Sequence, residues 1–244
     1  CNKCDGVVVP TVSTEEYLRL IGVKVPLFVQ PTGIDYQRFN RRDPGRVAAL
    51  RQRWQVDKEQ LSLISVSRLG KEKNITFLLE AMARLRGQCP RGVRLFIVGE
   101  GNQRQQLEAQ INDLQLSDCV TLVGPVAPED IAYYYQMADI FVFASKSETQ
   151  GMVLLEAMAA GLPVVAVRST GTDDVIKQGN TGFKTLERID EWNRALLELI
   201  CDDGKRHEFS LNAEQFAAGY DTEAFATHID GFYSELLSLR DHQL

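Results

Sequence analysis

The chain has 244 residues, of which 44% are hydrophobic and 25% charged, a composition typical of globular domains. Its formal net charge of −6 provides no excess of Lys and Arg to neutralise phosphates, so we expect no nucleic-acid partner. The most apolar run, residues 151–167, is interrupted by Glu156, Gly161 and Pro163. Because a membrane-spanning helix needs about 20 predominantly apolar residues, this run excludes a span there.

The cysteine pattern favours a reducing, cytoplasmic compartment. The five cysteines are scattered along the chain rather than framed as in disulfide-rich secreted domains. Cys1 and Cys4 form a CxxC pair, but no second cysteine pair or histidine pair accompanies them, so we predict no metal site.

Residues 1–40 are predicted to be the end of an N-terminal domain together with its linker. They contain two strand candidates, Val7–Val9 and Leu27–Gln30, separated by a short helix over Thr14–Leu20. Two strands do not form a stable domain by themselves. The chain also begins with Cys1 rather than Met, so we expect a fragment of a longer protein, with residues 36–45 as the linker.

Residues 41–244 are predicted to form an α/β domain with a doubly wound, Rossmann-like parallel sheet. Helical patterns near 73–86, 102–114, 127–137 and 152–160 separate the apolar strand candidates, and strands connected by such helices are parallel. After residue 182 the chain is predicted to be helical, near 187–201, 204–219 and 222–240. The five strand candidates are Leu61–Val66, Val93–Val98, Cys119–Val123, Ile140–Ala144 and Pro163–Val167.

Ligands of open parallel sheets bind beyond the carboxyl ends of the strands, so the loops there are candidate sites. The loop after the first strand contains Arg68 and Lys73, two cations suited to a diphosphate. The alternative is an ordinary solvated loop.

The loop after the second strand contains Gly99 and Gly101 and partly resembles a dinucleotide-binding fingerprint. Arg104 replaces the third glycine, and the next strand ends in Gly124 rather than in an acid that would bind ribose. NAD binding is therefore disfavoured. A tight turn into a helix accounts for Gly99, whereas Gly101 would also permit close approach of a ligand.

The loop after the fourth strand combines two carboxylates with a helix start. Gly151 opens a helix whose first amides, at Met152 to Leu154, are suited to bind a phosphate. Glu148 precedes these amides and Glu156 lies about one turn inside the helix, so a sugar-diphosphate-ribose would fit across them. The alternatives are a structural ion pair for Glu156 with Arg or Lys, and an exposed loop acid for Glu148.

These motifs together resemble the retaining glycosyltransferases of the GT-B fold, group 1. The residues that carry the resemblance are Arg68 with Lys73, Val-Gly-Glu-Gly at 98–101, and Glu148 and Glu156 separated by seven residues. The resemblance covers about residues 1–185 and implies a two-domain enzyme, of which residues 41–244 are the C-terminal, nucleotide-sugar-binding domain.

The resemblance also implies roles for individual residues. The implied catalytic residues are Arg68, Lys73 and Glu148, of which Arg68 and Lys73 would stabilise the diphosphate leaving group. Glu156 would bind the ribose hydroxyls. Glu148 and the backbone from Gln150 to Val153 would hold the donor sugar and phosphate. The implied donor-binding residues are Gly101, Val123, Val126, Gln150, Gly151, Met152, Val153 and Glu156, with the nucleobase near Val123 to Val126. The resemblance implies no metal and no cofactor, because the nucleotide sugar is a substrate.

Two departures from the family pattern refine these expectations. Most members have an aromatic residue where this chain has Gln150, and Ser-Glu-Thr-Gln-Gly is similar to the diacylglycerol glucosyltransferases. The segment Thr170–Asp174 replaces the usual pair of glycines followed by Glu, which leaves its role open.

We therefore expect transfer of a hexose, with UDP-glucose as the expected donor, to a lipid or saccharide acceptor. The acceptor would bind the N-terminal domain, and the protein would contact the inner face of the membrane peripherally. The fragment would bind donor without transferring sugar. The alternatives are a nucleotide-sugar epimerase of similar fold and a non-catalytic nucleotide-sugar-binding module.

Overall fold

The computed structural model describes residues 1–57 and 59–241, and a six-stranded parallel sheet forms its centre. The strands are β3 (Leu61–Val66), β4 (Val93–Val98), β5 (Val120–Gly124), β6 (Ile140–Phe143), β7 (Val164–Val167) and β8 (Gly182–Thr185). Their order in the sheet is β5-β4-β3-β6-β7-β8. The predicted α/β class with a doubly wound parallel sheet is confirmed.

Both faces of the sheet are buried because successive side chains of each strand enter opposite hydrophobic layers. Leu63 and Leu95 belong to the layer that contains Trp192. Their neighbours Ile64 and Phe96 belong to the other layer. This burial explains why the strands are apolar almost throughout and could be predicted from the sequence.

The predicted helices lie close to their predicted positions, and the largest difference is at the start of α6 (Ile131–Gln136), where residues 128–130 form a 3₁₀ turn before the helix. Helix α8 (Thr170–Val175) was predicted as a loop, because its sequence Thr-Gly-Thr-Asp-Asp-Val has low helix propensity. The helices of this part of the chain are α4 (Ile75–Leu85), α5 (Arg104–Asp113), α6 (Ile131–Gln136), α7 (Met152–Ala159), α8 (Thr170–Val175), α9 (Ile189–Cys201), α10 (Asp203–Ala218) and α11 (Thr222–Asp241).

The edge strand β8 was not predicted, because its sequence Gly-Phe-Lys-Thr lacks an apolar run. It pairs in parallel with β7, with Gly182 opposite Val164. A Cβ atom on Gly182 would lie 2.1 Å from the carbonyl oxygen of Val164. Glycine therefore lets this strand approach its neighbour, a requirement that only the tertiary structure shows.

The N-terminal segment forms a separate two-stranded parallel sheet from β1 (Val7–Val9) and β2 (Leu27–Val29), with α1 (Val12–Leu20) between them. Helix α1 has no buried residue. The ring of Phe28 on β2 lies 3.7 Å from that of Phe232 on α11. The small sheet is thus attached to the C-terminal helix.

The segment over residues 36–45, for which the sequence predicts a linker, contains helices. Residues 36–40 form α2 (Tyr36–Asn40), and Phe39 is buried in the hydrophobic layer of Ile64. A further helix, α3 (Pro44–Arg53), begins with Asp43 as its N-cap and Pro44 in its first turn. Asp followed by Pro is a common helix start, so the sequence did contain the signal. The boundary between residues 40 and 41 remains a prediction.

Within the described residues, no helix combines the length and the apolar composition needed to cross a membrane.

Candidate functional site

The strand order reverses between β3 and β6, which places a crevice beyond their carboxyl ends. From β3 the chain proceeds through β4 to β5 on one side, and then returns to β6 beside β3 and proceeds through β7 to β8 on the other. Connections of opposite direction leave the loops after β3 and β6 on separate sides of a gap. The sheet topology therefore identifies this gap as the first place to look for a ligand site.

Two adjoining cavities occupy the gap, with volumes of 360 and 450 Å³. They share Val66, Ser67 and Arg68, and we call the combined space the switch-point cleft. The 360 Å³ part is also lined by Lys73, Phe143 and Glu148 to Val153, and the 450 Å³ part by Arg38, Val98, Gly99, Glu100, Pro125, Val126, Pro128, Ile131 and Glu156.

Lys73 and Glu148 form an ion pair in the smaller cavity, between Nζ and Oε1. Their side chains are only 15% and 14% exposed, so solvent screens the pair weakly. The two predicted catalytic groups are thus brought together, but the charge of each is compensated by the other.

The segment Thr170–Asp174 packs against Glu148. The amide of Gly171 donates a hydrogen bond of 3.1 Å to the carbonyl oxygen of Glu148. A Cβ atom on Gly171 would lie 2.8 Å from the Cβ atom of Glu148. The segment whose role the sequence left open therefore contacts the backbone of a predicted site residue.

Arg68 is the most accessible cation of the cleft. Its side chain is 83% exposed, and its guanidinium lies 3.4 Å from the carboxylate of Glu72. Exposed ion pairs of this kind contribute little to stability, so the guanidinium is free to bind an anion instead.

Helix α7 presents its N-terminus to the cleft without a capping side chain. Gly151 precedes the helix with a φ of +64°, in the left-handed region that favours glycine. The amide of Leu154 donates to the carbonyl oxygen of Gly151 at 2.8 Å. Among the described residues, no acceptor pairs with the amides of Met152 and Val153. Two amides, rather than the three predicted, are thus available to an anion.

Glu156 lines the larger cavity and does not form the ion pair considered above. No Lys or Arg of the described residues lies within 4.0 Å of its carboxylate. It accepts a hydrogen bond of 2.8 Å from the hydroxyl of Tyr135 instead. Burial raises the pKa of Glu156, whereas the bond from Tyr135 and the positive charge of Arg38 lower it. The ion-pair alternative is therefore wrong.

Two of the predicted donor-binding residues do not line the cleft. A Cβ atom on Gly101 would lie 2.5 Å from the carbonyl oxygen of Leu69, so close packing of two loops explains this glycine. Val123 packs against the hydrophobic layer, whereas Val126 does line the cleft.

Arg38 and Tyr135 were missed by the sequence analysis. Arg38 lies on α2, inside the segment predicted to be a linker, and no motif marks it. Tyr135 stands among three consecutive tyrosines on α6. Only the tertiary structure brings both residues to Glu156.

Gln150, the residue that departs from the family pattern, contacts the N-terminal segment. Its Oε1 accepts a hydrogen bond of 3.3 Å from the backbone amide of Thr32. The loop after β6 is therefore connected to the turn after β2.

Comparison with known proteins identifies relatives over most of the chain. The family model described as "Glycosyl transferases group 1" matches residues 47–216. Alpha-monoglucosyldiacylglycerol synthase from Streptococcus pneumoniae is 31% identical over 242 residues, which cover 98% of this chain and 54% of that protein. The enzyme of the same name from Acholeplasma laidlawii is 26% identical, over 99% of this chain and 61% of that protein.

Solved structures confirm the fold. HepE from Anabaena, in complex with UDP and glucose, superposes with a TM-score of 0.86 at 25% identity, over 96% of this chain and 64% of that one. Sucrose-phosphate synthase from Thermosynechococcus elongatus has a TM-score of 0.84 at 25% identity, over 98% of this chain and 60% of that one. The chain thus spans between half and two thirds of the length of these relatives.

Proposed function

The chain belongs to the group 1 glycosyl transferases, and from this membership we propose that it is the donor-binding part of a retaining hexosyltransferase. The observation that carries the proposal is the switch-point cleft. It contains three cations (Arg38, Arg68 and Lys73), two helix amides that have no acceptor among the described residues, and the partly buried carboxylate of Glu156. Phosphates need the first two kinds of group, and sugar hydroxyls need the third.

Arg68, Lys73 and the amides of Met152 and Val153 bind the diphosphate in this proposal. Negative charge grows on the diphosphate as the glycosidic bond breaks, so fixed positive groups stabilise the transition state more than the ground state. This requires Lys73 to share its charge between Glu148 and the incoming phosphate. A metal ion is not needed for this charge compensation.

Glu156 accepts hydrogen bonds from the ribose hydroxyls, and the nucleobase lies against Pro125 and Val126. Support comes from the lining of the larger cavity, which combines these residues. Glu148 and Gln150 contact the hexose, since both line the smaller cavity beside the helix amides.

We propose UDP-glucose as the donor and a lipid or saccharide as the acceptor. Two relatives are named as synthases of a glucosyl lipid, and HepE was crystallised with UDP and glucose. Another relative, from Mycobacterium tuberculosis, is named as a GDP-mannose-dependent mannosyltransferase, so hexose transfer is the part common to these names. A lipid acceptor implies peripheral contact with the cytoplasmic face of a membrane.

The acceptor site is proposed to lie in the part of the relatives that this chain does not span. Residues 1–40 then form the end of an N-terminal acceptor domain and its linker, and residues 41–244 form the domain that binds nucleotide sugar. On this view the 244-residue chain binds donor without transferring sugar.

Titration calorimetry of the chain with UDP, GDP, ADP and their sugars tests the proposal. In a separate unfolding experiment, a matched nucleotide at about 100 times its dissociation constant should raise the free energy of unfolding by roughly 2.7 kcal/mol. Failure to bind any of these nucleotides would contradict the function. Sugar transfer by the 244-residue chain alone would contradict the proposed division of roles. Analysis of the anomeric configuration produced by the longer protein tests whether the reaction is retaining.

A further inference from the structure

The hydroxyl of Tyr135 holds the Glu156 carboxylate from inside the protein. Its oxygen lies 2.8 Å from Oε2 of Glu156, and Tyr135 is completely buried. The ring packs against Phe39 and Phe141, with centroids 5.8 and 5.9 Å away. Tyr135 is not among the residues that line the cleft, so it acts on a ligand only through Glu156.

The second carboxylate oxygen, Oε1, remains for a ligand. Within the described part of the chain it accepts no hydrogen bond, while Glu156 lines the larger cavity. A carboxylate fixed through one oxygen has lost its freedom to rotate before a ligand arrives. Hydrogen bonding to the fixed group therefore requires less reorganisation.

We propose that Tyr135 is a positioning residue for ribose recognition, which fixes the Glu156 carboxylate and so makes the cleft select ribonucleotides over 2′-deoxyribonucleotides. This inference rests on the proposed function, in which Glu156 binds the ribose hydroxyls. A site that is built to bind a hydroxyl discriminates strongly against a ligand without it, because the partly buried acceptor is then left unpaired.

The same hydrogen bond favours the ionised form of Glu156. Burial raises the pKa of this carboxyl, and the bond from Tyr135 is the larger of the two influences that lower it, ahead of the charge of Arg38 on α2. The other charged groups that line this part of the cleft are Arg68 and Glu100, from the loops after β3 and β4. Loss of the Tyr135 hydroxyl should therefore raise the pKa of Glu156 further.

The test compares the affinities of UDP and 2′-deoxy-UDP, and of the matching GDP pair, for the 244-residue chain by calorimetry. We expect the unaltered chain to prefer the ribonucleotide by roughly tenfold or more, the effect of one hydrogen bond to a charged group. Tyr135→Phe should reduce this preference by about threefold or more, since it removes one hydroxyl and preserves the ring.

Tyr134→Phe is the matched control. Tyr134 is the neighbouring residue on α6, is only 6% exposed, and its hydroxyl donates to no described residue. This variant should keep the preference for the ribonucleotide. The ratio of two dissociation constants does not depend on the fraction of folded protein, so partial unfolding of a variant cannot imitate the effect.

A second readout is the pH dependence of UDP binding. Binding should weaken as the pH falls through the pKa of Glu156, because the protonated carboxyl accepts hydrogen bonds less well. With Tyr135→Phe this loss should occur at higher pH. In a Glu156→Gln background, Tyr135→Phe should change neither the preference nor the pH profile.

An equal loss of affinity for both nucleotides in Tyr135→Phe, with an unchanged pH profile, would overturn the inference and assign Tyr135 to packing alone. If Glu156→Gln removes the preference while Tyr135→Phe retains it, only the inference fails. If the unaltered chain binds no nucleoside diphosphate, the proposed function fails and the inference fails with it.

Discussion

Lys73 and Glu148 neutralise each other across the switch-point cleft, although the proposed function assigns one to the diphosphate and the other to the sugar. They come from the loops after β3 and β6, 75 positions apart in the sequence. The pair therefore connects the two loops that form the walls of the cleft. A diphosphate that binds there competes with Glu148 for the Lys73 ammonium.

This competition predicts opposite effects for the two members of the pair. Glu148→Gln should increase the affinity for UDP by roughly fivefold, since it removes a negative charge worth about 1 kcal/mol beside the phosphates. Lys73→Met should decrease UDP affinity, because it removes the cation and leaves Glu148 without its partner. Calorimetry with UDP measures both, and weaker binding by Glu148→Gln would contradict the competition.

Arg68 should discriminate between diphosphates and monophosphates. Because its guanidinium is exposed and only loosely paired, Arg68→Gln should reduce the ratio of UDP to UMP affinity by roughly three- to tenfold. Arg84→Gln is a suitable control, since Arg84 is 59% exposed and pairs with Asp190, on helices outside the cleft lining. A ratio that Arg68→Gln leaves unchanged would remove Arg68 from the phosphate site.

Glu156 is expected to reduce the stability of the fold at neutral pH. Burial raises its pKa in the folded state above the unfolded value of 4.5. The folded state therefore binds the proton more tightly than the unfolded state does, which stabilises the fold when Glu156 is protonated. This stabilisation is fully present below the unfolded pKa and is lost as the pH rises through the folded pKa. As the pH rises from the unfolded to the folded pKa of Glu156, the unaltered chain should lose stability relative to the Glu156→Gln variant.

Urea unfolding of the two chains from pH 4 to pH 8, at roughly half-unit steps, measures this difference. Asp139 also has a pKa raised by burial, but it is present in both chains and cancels. A difference in unfolding free energy that does not vary with pH would contradict the expectation. A collapse of the Glu156→Gln fold would show that the residue is structural.

Gly99 should tolerate no side chain. Its φ is +133°, and a Cβ atom would lie 1.9 Å from the carbonyl oxygen of Ser67. We expect Gly99→Ala to lower the free energy of unfolding by more than about 2 kcal/mol, through backbone strain and displacement of the loop after β3.

Comparison with Gly87→Ala separates the steric clash at Gly99 from backbone strain. Gly87 has a φ of +86°, but among the described residues no atom lies within 4 Å of the place that a Cβ atom would occupy. The alanine there should cost only about 1 kcal/mol of left-handed strain. Equal losses for the two variants in chemical denaturation would show that the contact with Ser67 is unimportant.

The sequence by itself determined five of the six strands of the central sheet, because strands that are buried on both faces must be apolar along their whole length. It also indicated the loops of the site, since the carboxyl ends of parallel strands meet at one edge, and Arg68, Lys73, Glu148 and Glu156 all line one cleft. Their local patterns were sufficient to assign them to the same region of the fold.

Only the tertiary structure decided which groups meet within that region. The partner of Glu156 is Tyr135, a residue that resembles ordinary core in a run of tyrosines, and Arg38 reaches the cleft from a helix within the segment that the sequence predicts to be a linker. Gly101 was expected to approach a ligand but lies against Leu69. Such contacts depend on distances between residues far apart in the chain, and the spacing of residue types along a sequence does not encode them.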